Sequence, residues 1–222
     1  MRTLHHWRLD PFGRTLRAAL GEKKLDFEDA HEPPWEPSEA LQRADPGGPG
    51  PALLDDGEAV AVGARAALEY LEETAPEPPL FPGDATERAE VRRLVDWFDR
   101  RFETEAGQPI RTEKLVKRMR NEGPPDMDLM RPAREAVRWH LDYVAYLSEQ
   151  RDWLAGRRMS AADLAAAAHL SSLDYLGEVP WQDYGPAKEW YVRVKSRPCF
   201  RPILQDRIAG VLPPPYYADL DF

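Results

Sequence analysis

Apolar and polar positions alternate in the first third of the chain and change to helical spacing after it. Period-two alternation in RTLHHW (2–7) and LDFEDAH (25–31) predicts two strands, and PALLDDGEAVAV (51–62) predicts two more around an Asp-Gly turn. Apolar residues three and four apart predict helices in the intervening and following segments, at 13–24, 38–45 and 63–74. The resulting order, βαβα–ββα, is typical of a small mixed sheet with helices on both faces.

No strand pattern follows the proline-rich segment that ends near Gly83. Asp84 with Glu87, and Ser160 with Asp163, have the spacing of a capping box and predict the starts of two helices. The sequence therefore predicts an α/β domain followed by an all-α domain. The predicted boundaries are 1–75 for the α/β domain, 76–84 for a linker, 85–205 for the helical domain and 206–222 for a tail rich in proline, aromatic and acidic residues.

The charge and the cysteine content narrow the class of protein. The 222 residues carry a net charge of −9, which disfavours nucleic acid as a partner because phosphate binding needs a basic surface. Residues 1–75 hold eight basic and fifteen acidic residues, a net charge of −7. No apolar run approaches the ~20 residues that span a bilayer, so we expect no membrane insertion. The single cysteine, Cys199, and the lack of an apolar signal core favour a cytoplasmic protein.

The order and lengths of the segments, together with four local motifs, resemble the cytosolic glutathione transferases. This resemblance implies a thioredoxin-like domain followed by an α-helical domain, and it implies a cis-proline at Pro51. The four motifs are GPGPALL (48–54), RAALEYLEET (65–74), SAADLAAAAHL (160–170) and WYVRVKSRPCF (190–200).

The resemblance also implies where the catalytic groups of such a protein lie, and this chain has other residues there. Family members polarise the glutathione thiol with Ser, Cys or Tyr at the positions of Asp10 and Gly13, and they hold the γ-glutamyl group with a Glu-Ser pair at the positions of Gly63 and Ala64. A carboxylate repels a thiolate, and Gly and Ala have no hydrogen-bonding side chain. We therefore predict a degenerate site at Asp10, Gly13, Pro51, Gly63 and Ala64, with no catalytic residue and no glutathione binding.

Other candidate chemistry is weaker. His5 and His6 are neighbours on a predicted strand, so they face opposite sides and cannot bind one metal ion together; we predict no metal site. Thr15 has a hydroxyl, but it lies further into the first helix and is expected to point elsewhere. The basic stretch RTEKLVKRMR (111–120) has two interpretations, a solvated helix face or a docking surface for an acidic protein.

Two features remain once the fold is accounted for. Trp35 lies among prolines and glutamates, and it either anchors a protein interface or covers the empty thiol cleft. The tail VLPPPYYADLDF (211–222) either packs back on the helical domain as a strap or presents Asp219 and Phe222 to a partner.

The tail, the tryptophan loop and the emptied site together resemble bacterial transferase-like proteins that bind FtsZ, the tubulin homologue of cell division. That resemblance implies a dimeric, non-enzymatic scaffold that binds and curves FtsZ filaments at the division site. It implies Trp35, Asp219 and Phe222 as contact residues, with Glu113 as a fourth candidate. Two alternatives stay open: a divergent transferase or isomerase that uses backbone N–H groups and Thr15, and an adaptor for another protein partner.

Overall fold

The computed structural model describes residues 1–33, 35–36, 38–44, 46, 53–57 and 59–220. Within these residues four strands form one mixed sheet in the order β2-β1-β3-β4. β1 pairs in parallel with β2 and antiparallel with β3, and β3 pairs antiparallel with β4. The strands are β1 (Arg2–His6), β2 (Phe27–His31), β3 (Leu53–Asp55) and β4 (Val60–Val62). The predicted βαβα–ββα order is confirmed.

The register of the sheet places apolar side chains in the core. Leu4 of β1 is paired with Leu54 of β3, and both are almost completely buried. The helices of this domain are α1 (Pro11–Glu22), α2 (Glu39–Ala44) and α3 (Ala64–Thr74). Leu16, Leu20 and Leu68 from α1 and α3 have no exposed surface, so the period-3.6 pattern correctly identified their buried faces.

The rest of the described chain is helical. Both predicted capping boxes are present, at Asp84 with Glu87 and at Ser160 with Asp163. The α-helices are α4 (Ala85–Asp96), α5 (Gln108–Arg111), α6 (Lys117–Arg120), α7 (Met127–Gln150), α8 (Ala161–Tyr175), α9 (Gly185–Lys195) and α10 (Arg201–Leu204). The predicted fold class, a thioredoxin-like domain followed by an all-α domain, is confirmed.

One feature of the helical domain was not predicted. The helix that begins with α4 continues as a π-helix over Trp97–Gly107, and a second π-helical stretch covers Thr112–Val116. Phe98 and Phe102 still face the core and have no exposed surface. Such π-helical segments are common at functional sites.

Arg14 of α1 holds the two domains and the tail together. Its side chain is completely buried, and Nη2 lies 3.2 Å from Oδ2 of Asp206, which is also buried. Nη1 donates to Oγ of Ser171 in α8 (2.8 Å) and to the Tyr217 hydroxyl of the tail (3.1 Å). Nε donates to the carbonyl of Arg8 before α1 (2.7 Å). A buried guanidinium is tolerated because each of these groups satisfies one of its donors.

Removal of the Arg14 side chain should strongly destabilise the fold. We expect Arg14→Leu to lower the free energy of unfolding by about 3 kcal/mol, because it leaves Asp206 buried with fewer partners. The matched control is Arg43→Ala, which breaks an exposed Arg43–Glu39 pair and should cost less than ~1 kcal/mol. Urea unfolding followed by circular dichroism measures both, and equal midpoints for the two variants would contradict the role given to Arg14.

Candidate functional site: the start of the first helix

The turn from β1 into α1 is closed by its own residues. Asp10 is the N-cap of α1, and its Oδ2 accepts a hydrogen bond from the Gly13 N–H at 2.6 Å. Pro11 occupies the first helical turn, where its missing N–H is tolerated. The Gly13 N–H, the group that could have bound a thiolate, is therefore already used within the protein.

A side chain at position 13 has no room. A Cβ built on Gly13 lies 2.5 Å from Cβ and 2.7 Å from Nδ1 of His6, which is buried. The His6 ring is held on both sides, with Nδ1 3.1 Å from the Trp7 carbonyl and Nε2 2.9 Å from Oδ1 of Asp29. A Ser, Cys or Tyr at position 13 would therefore have to displace His6.

The nearby hydroxyl of Thr15 also has an internal partner. Thr15 is fully buried, and its Oγ1 donates to the carbonyl of Pro11 at 2.9 Å. This agrees with the expectation that the side chain points away from the start of the helix. The enzyme alternative thus loses the hydroxyl on which it depended.

A charged cluster from the helical domain faces this turn. His169 of α8 is buried, with Nε2 3.0 Å from Oδ1 of Asp99 and Nδ1 3.2 Å from Oε2 of Glu103. Burial opposes a charge on His169, but its hydrogen bonds to the two carboxylates raise its pKa above the usual value. Glu103 also pairs with Arg111, and despite burial the charges of Arg111 and His169 lower its pKa to about 2. The cluster is therefore charged and internally paired.

The electrostatics of Asp10 differ from those of an exposed carboxyl. Desolvation raises its pKa to about 6, against the opposing effects of the Gly13 hydrogen bond and the charges of Arg111 and His6. Phe12, next to Asp10 in sequence, packs edge-on against the His169 ring with centroids 5.4 Å apart. Both the polar cluster and the aromatic contact occupy space between the domains.

The start of α3, where family members hold the γ-glutamyl group of glutathione, also differs from the family pattern. Gly63 is the N-cap of α3 with φ 83° and ψ 145°, a region in which residues with side chains are strained. Ala64, the first residue of the helix, is 2% exposed. A Glu at position 63 would strain the backbone. Pro51, the predicted cis-proline, and Gly50 lie outside the described residues.

The position of Trp35 is compatible with both of its predicted roles. The residue is partly buried, and its ring packs edge-on against Trp7 with centroids 5.5 Å apart. Trp7 is followed by Arg8, whose carbonyl accepts the Arg14 hydrogen bond. Trp35 is thus supported by the same turn that Arg14 holds, while part of its surface stays accessible.

Part of the tail packs on the protein, and part of it is exposed. Tyr217 is fully buried against Tyr175 and Arg14, whereas Leu212 is 86% exposed and Asp219 is exposed. The Tyr175 hydroxyl accepts from the Ile208 N–H (2.9 Å) and donates to the Val211 carbonyl (2.8 Å). Phe222 lies outside the described residues.

Glu113 differs from the other described contact candidates, Trp35 and Asp219, because its side chain is buried. It is 4% exposed, and Oε2 lies 2.6 Å from Lys117 Nζ and accepts the Asp126 N–H at 2.6 Å. These two contacts hold its pKa below the usual value. Glu113 therefore organises the turn before α7, and its role as a contact residue stays a prediction. The side chains of Arg118 and Arg120, further along the basic stretch, are exposed.

The described residues offer neither a metal site nor a reactive thiol. Across the described residues, no group of three or more His, Cys, Asp or Glu is arranged to bind a metal ion. None of the helices in the same residues is both long and apolar enough to cross a membrane. Cys199 is buried, and desolvation raises the pKa of its thiol to about 12, so it is a poor nucleophile.

Known protein families and solved structures agree with the fold described above. Family models for the N-terminal and C-terminal domains of glutathione S-transferases match residues 4–79 and 108–198. The structure superposes on the crystal structure of a glutathione S-transferase from Rhodospirillum rubrum F11 with a TM-score of 0.96, at 47% identity and full coverage of both chains. The chain belongs to the glutathione S-transferase family.

The chain is also similar to a protein that is named for its localisation with FtsZ. It is 51% identical to FtsZ-localized protein A of Caulobacter vibrioides (strain NA1000 / CB15N), over 100% of this chain and 98% of the relative. The solved structure of FzlA from C. crescentus superposes with a TM-score of 0.95, at 50% identity, over 100% of this chain and 99% of that one. The resemblance predicted from the motifs, the tail and the tryptophan loop is therefore confirmed.

The raised pKa of Asp10 predicts a specific dependence of stability on pH. A carboxyl whose pKa is higher in the folded protein stabilises the fold below its unfolded pKa, and this contribution is lost as pH rises through about 6. Asp10→Asn keeps a good N-cap but does not titrate. Between pH 4 and 7 the wild type should lose on the order of 2 kcal/mol relative to Asp10→Asn. Parallel unfolding curves at both pH values measure this difference, and an unchanged difference would contradict the raised pKa.

Immobilised glutathione should not retain the protein, because neither helix start offers the expected side chains. Ala64→Ser should not restore retention by itself, and Gly63→Glu should destabilise the fold by about 1–3 kcal/mol because of its positive φ. A glutathione S-transferase with an intact site is the control for the resin. Retention of the wild type followed by elution with free glutathione would contradict the degenerate site.

Proposed function

We propose that this protein is a non-catalytic scaffold of bacterial cell division that binds FtsZ filaments and curves them at the division site. The observation that carries the proposal is its 51% identity, over the full chain, to a protein named for its localisation with FtsZ. The closed turn at Asp10 and Gly13 supports it, because the groups that would polarise a thiol are replaced or engaged internally. Neither a glutathione cofactor nor a metal ion is part of this proposal.

The contact surface in this proposal consists of Trp35 and the tail. Trp35 rests on Trp7, and Arg14 connects the adjoining turn to Tyr217, so the two regions belong to one packed unit. Leu212 adds an exposed apolar side chain, and Asp219 adds an exposed acidic one. A partly exposed aromatic anchor and an exposed acidic group are both suited to contacts with a protein partner.

We also propose that the scaffold is a homodimer in the cytoplasm, with the first domain of one subunit against the second domain of the other. An aromatic and cationic surface on the helical domain supports this arrangement. Arg101 lies 4.6 Å from the Trp97 ring centroid and 4.4 Å from that of Trp139, and Trp139 is 45% exposed. Aromatic residues and arginine are enriched in protein interfaces. A dimer presents two contact surfaces, which a scaffold needs in order to connect filaments.

Substitutions on the proposed surface should weaken FtsZ binding without unfolding the protein. We expect Asp219→Lys to cost ~1–3 kcal/mol of binding and Trp35→Ala about 2 kcal/mol, with nearly unchanged melting temperatures. Co-sedimentation with FtsZ polymers measures binding, and thermal unfolding measures stability.

The matched control is Asp152→Lys, which makes the same charge change at the opposite end of α8 from the tail. The Leu154 N–H, two residues later, donates to Asp163 in the first turn of α8, whereas the tail packs near Tyr175 in its last turn. This control should bind FtsZ like the wild type. If Asp219→Lys and Trp35→Ala also bind like the wild type, the proposed surface is wrong; if the wild type does not sediment with FtsZ, the proposed function is wrong.

A further inference from the structure

A completely buried lysine lies beneath the end of the tail. Lys195, the last residue of α9, has no exposed surface, and its Nζ donates to the main-chain carbonyl of Asp219 at 2.6 Å. The ammonium also lies 5.5 Å from the ring centroid of Tyr191. Burial of an ammonium is costly unless polar partners compensate it. One of those partners is the backbone of the exposed residue that the proposed function places in the interface.

A second contact holds the tail two residues earlier. The hydroxyl of buried Tyr217 accepts a hydrogen bond from Arg14, and its ring packs edge-on against Tyr175 with centroids 5.2 Å apart. Between these two contacts the chain leaves its short 3₁₀-helix, Pro215–Ala218, and becomes extended at Asp219. The main chain of Asp219 is thus fixed from below while the residue itself is exposed.

We propose that Lys195 is a positioning residue for partner binding, which holds the Asp219 main chain so that the end of the tail is ordered before the partner arrives. This inference rests on the proposed function, because Asp219 is its contact residue. A segment that is already ordered does not have to lose its conformational entropy on binding, so its contacts contribute more to affinity.

The chemistry of the position favours this role over simple packing. A methionine has nearly the length of a lysine and could fill the same space over Tyr191 without the cost of a buried charge. The ammonium places a positive charge near buried Asp174 of α8 and, in addition, donates a hydrogen bond to the tail. Buried polar contacts of this kind can select one conformation among several.

The test compares the wild type with Lys195→Met, Asp219→Lys and the double variant. Lys24→Met is the control, because it removes the charge of an exposed lysine. Hydrogen exchange measured by mass spectrometry reports the order of residues 212–220 without FtsZ, and co-sedimentation with FtsZ polymers reports binding. Lys195→Gln, which is neutral, polar and one atom too short to reproduce the contact with the Asp219 carbonyl, replaces Lys195→Met if the latter does not fold.

We expect Lys195→Met to exchange faster in the tail peptide, with unchanged exchange in α1, and to bind FtsZ roughly 2- to 10-fold more weakly, the cost of ordering one side chain. In the Asp219→Lys background the same change should have no further effect on binding, because the group that it positions is already lost. A loss that is independent of Asp219 would overturn the positioning role.

Two other results would also overturn it. If the tail loosens but Lys195→Met binds FtsZ like the wild type, order in the tail does not matter for binding, and the scaffold function stands without the positioning residue. If the wild type itself does not bind FtsZ, the proposed function fails and the inference fails with it. The wild-type measurement therefore distinguishes the two failures.

Discussion

The buried guanidinium of Arg14 is the contact on which the rest of the arrangement depends. Its donors reach the turn before α1, the core helix α8, Asp206 and the tail hydroxyl of Tyr217. Because a buried charge must keep all its partners, these parts of the chain cannot move independently without a large cost. The two domains, the turn at the start of α1 and the tail are therefore held together as one unit, as the proposed contact surface requires.

The elements of the fold could be predicted because their signals are local. Alternation predicted the strands, period 3.6 predicted the buried helix faces, and the residue pairs at Asp84 and Ser160 predicted two helix starts. The groups that join the elements could not be predicted in this way. Arg14 and Lys195 look like ordinary surface positions of helices, and Arg14 bonds to residues 157 and 203 positions away. No local pattern encodes such contacts, and none revealed the π-helical geometry that carries Asp99 and Glu103.

At the candidate site, too, some features could be predicted from the sequence and others could not. At Gly13 and Gly63 the sequence itself shows that groups expected in the family are missing, because glycine has no side chain. The contacts that take the place of those groups could not be recognised from the sequence. His6 occupies the space above Gly13, Gly63 has a backbone conformation that strains other residues, and the His169 cluster fills the space between the domains. The close approach of His6 to Gly13 and the positive φ of Gly63 therefore oppose the side chains that family members carry at these two positions.

If this chain shapes FtsZ filaments through a surface, as we propose, it should change their form without any catalytic step. Electron microscopy of FtsZ filaments, assembled with nucleotide in the presence and absence of the protein, shows whether it does. We expect decorated and curved filaments with the protein, and the same curvature when millimolar glutathione is added. Straight, undecorated filaments in the presence of the protein would contradict this proposal.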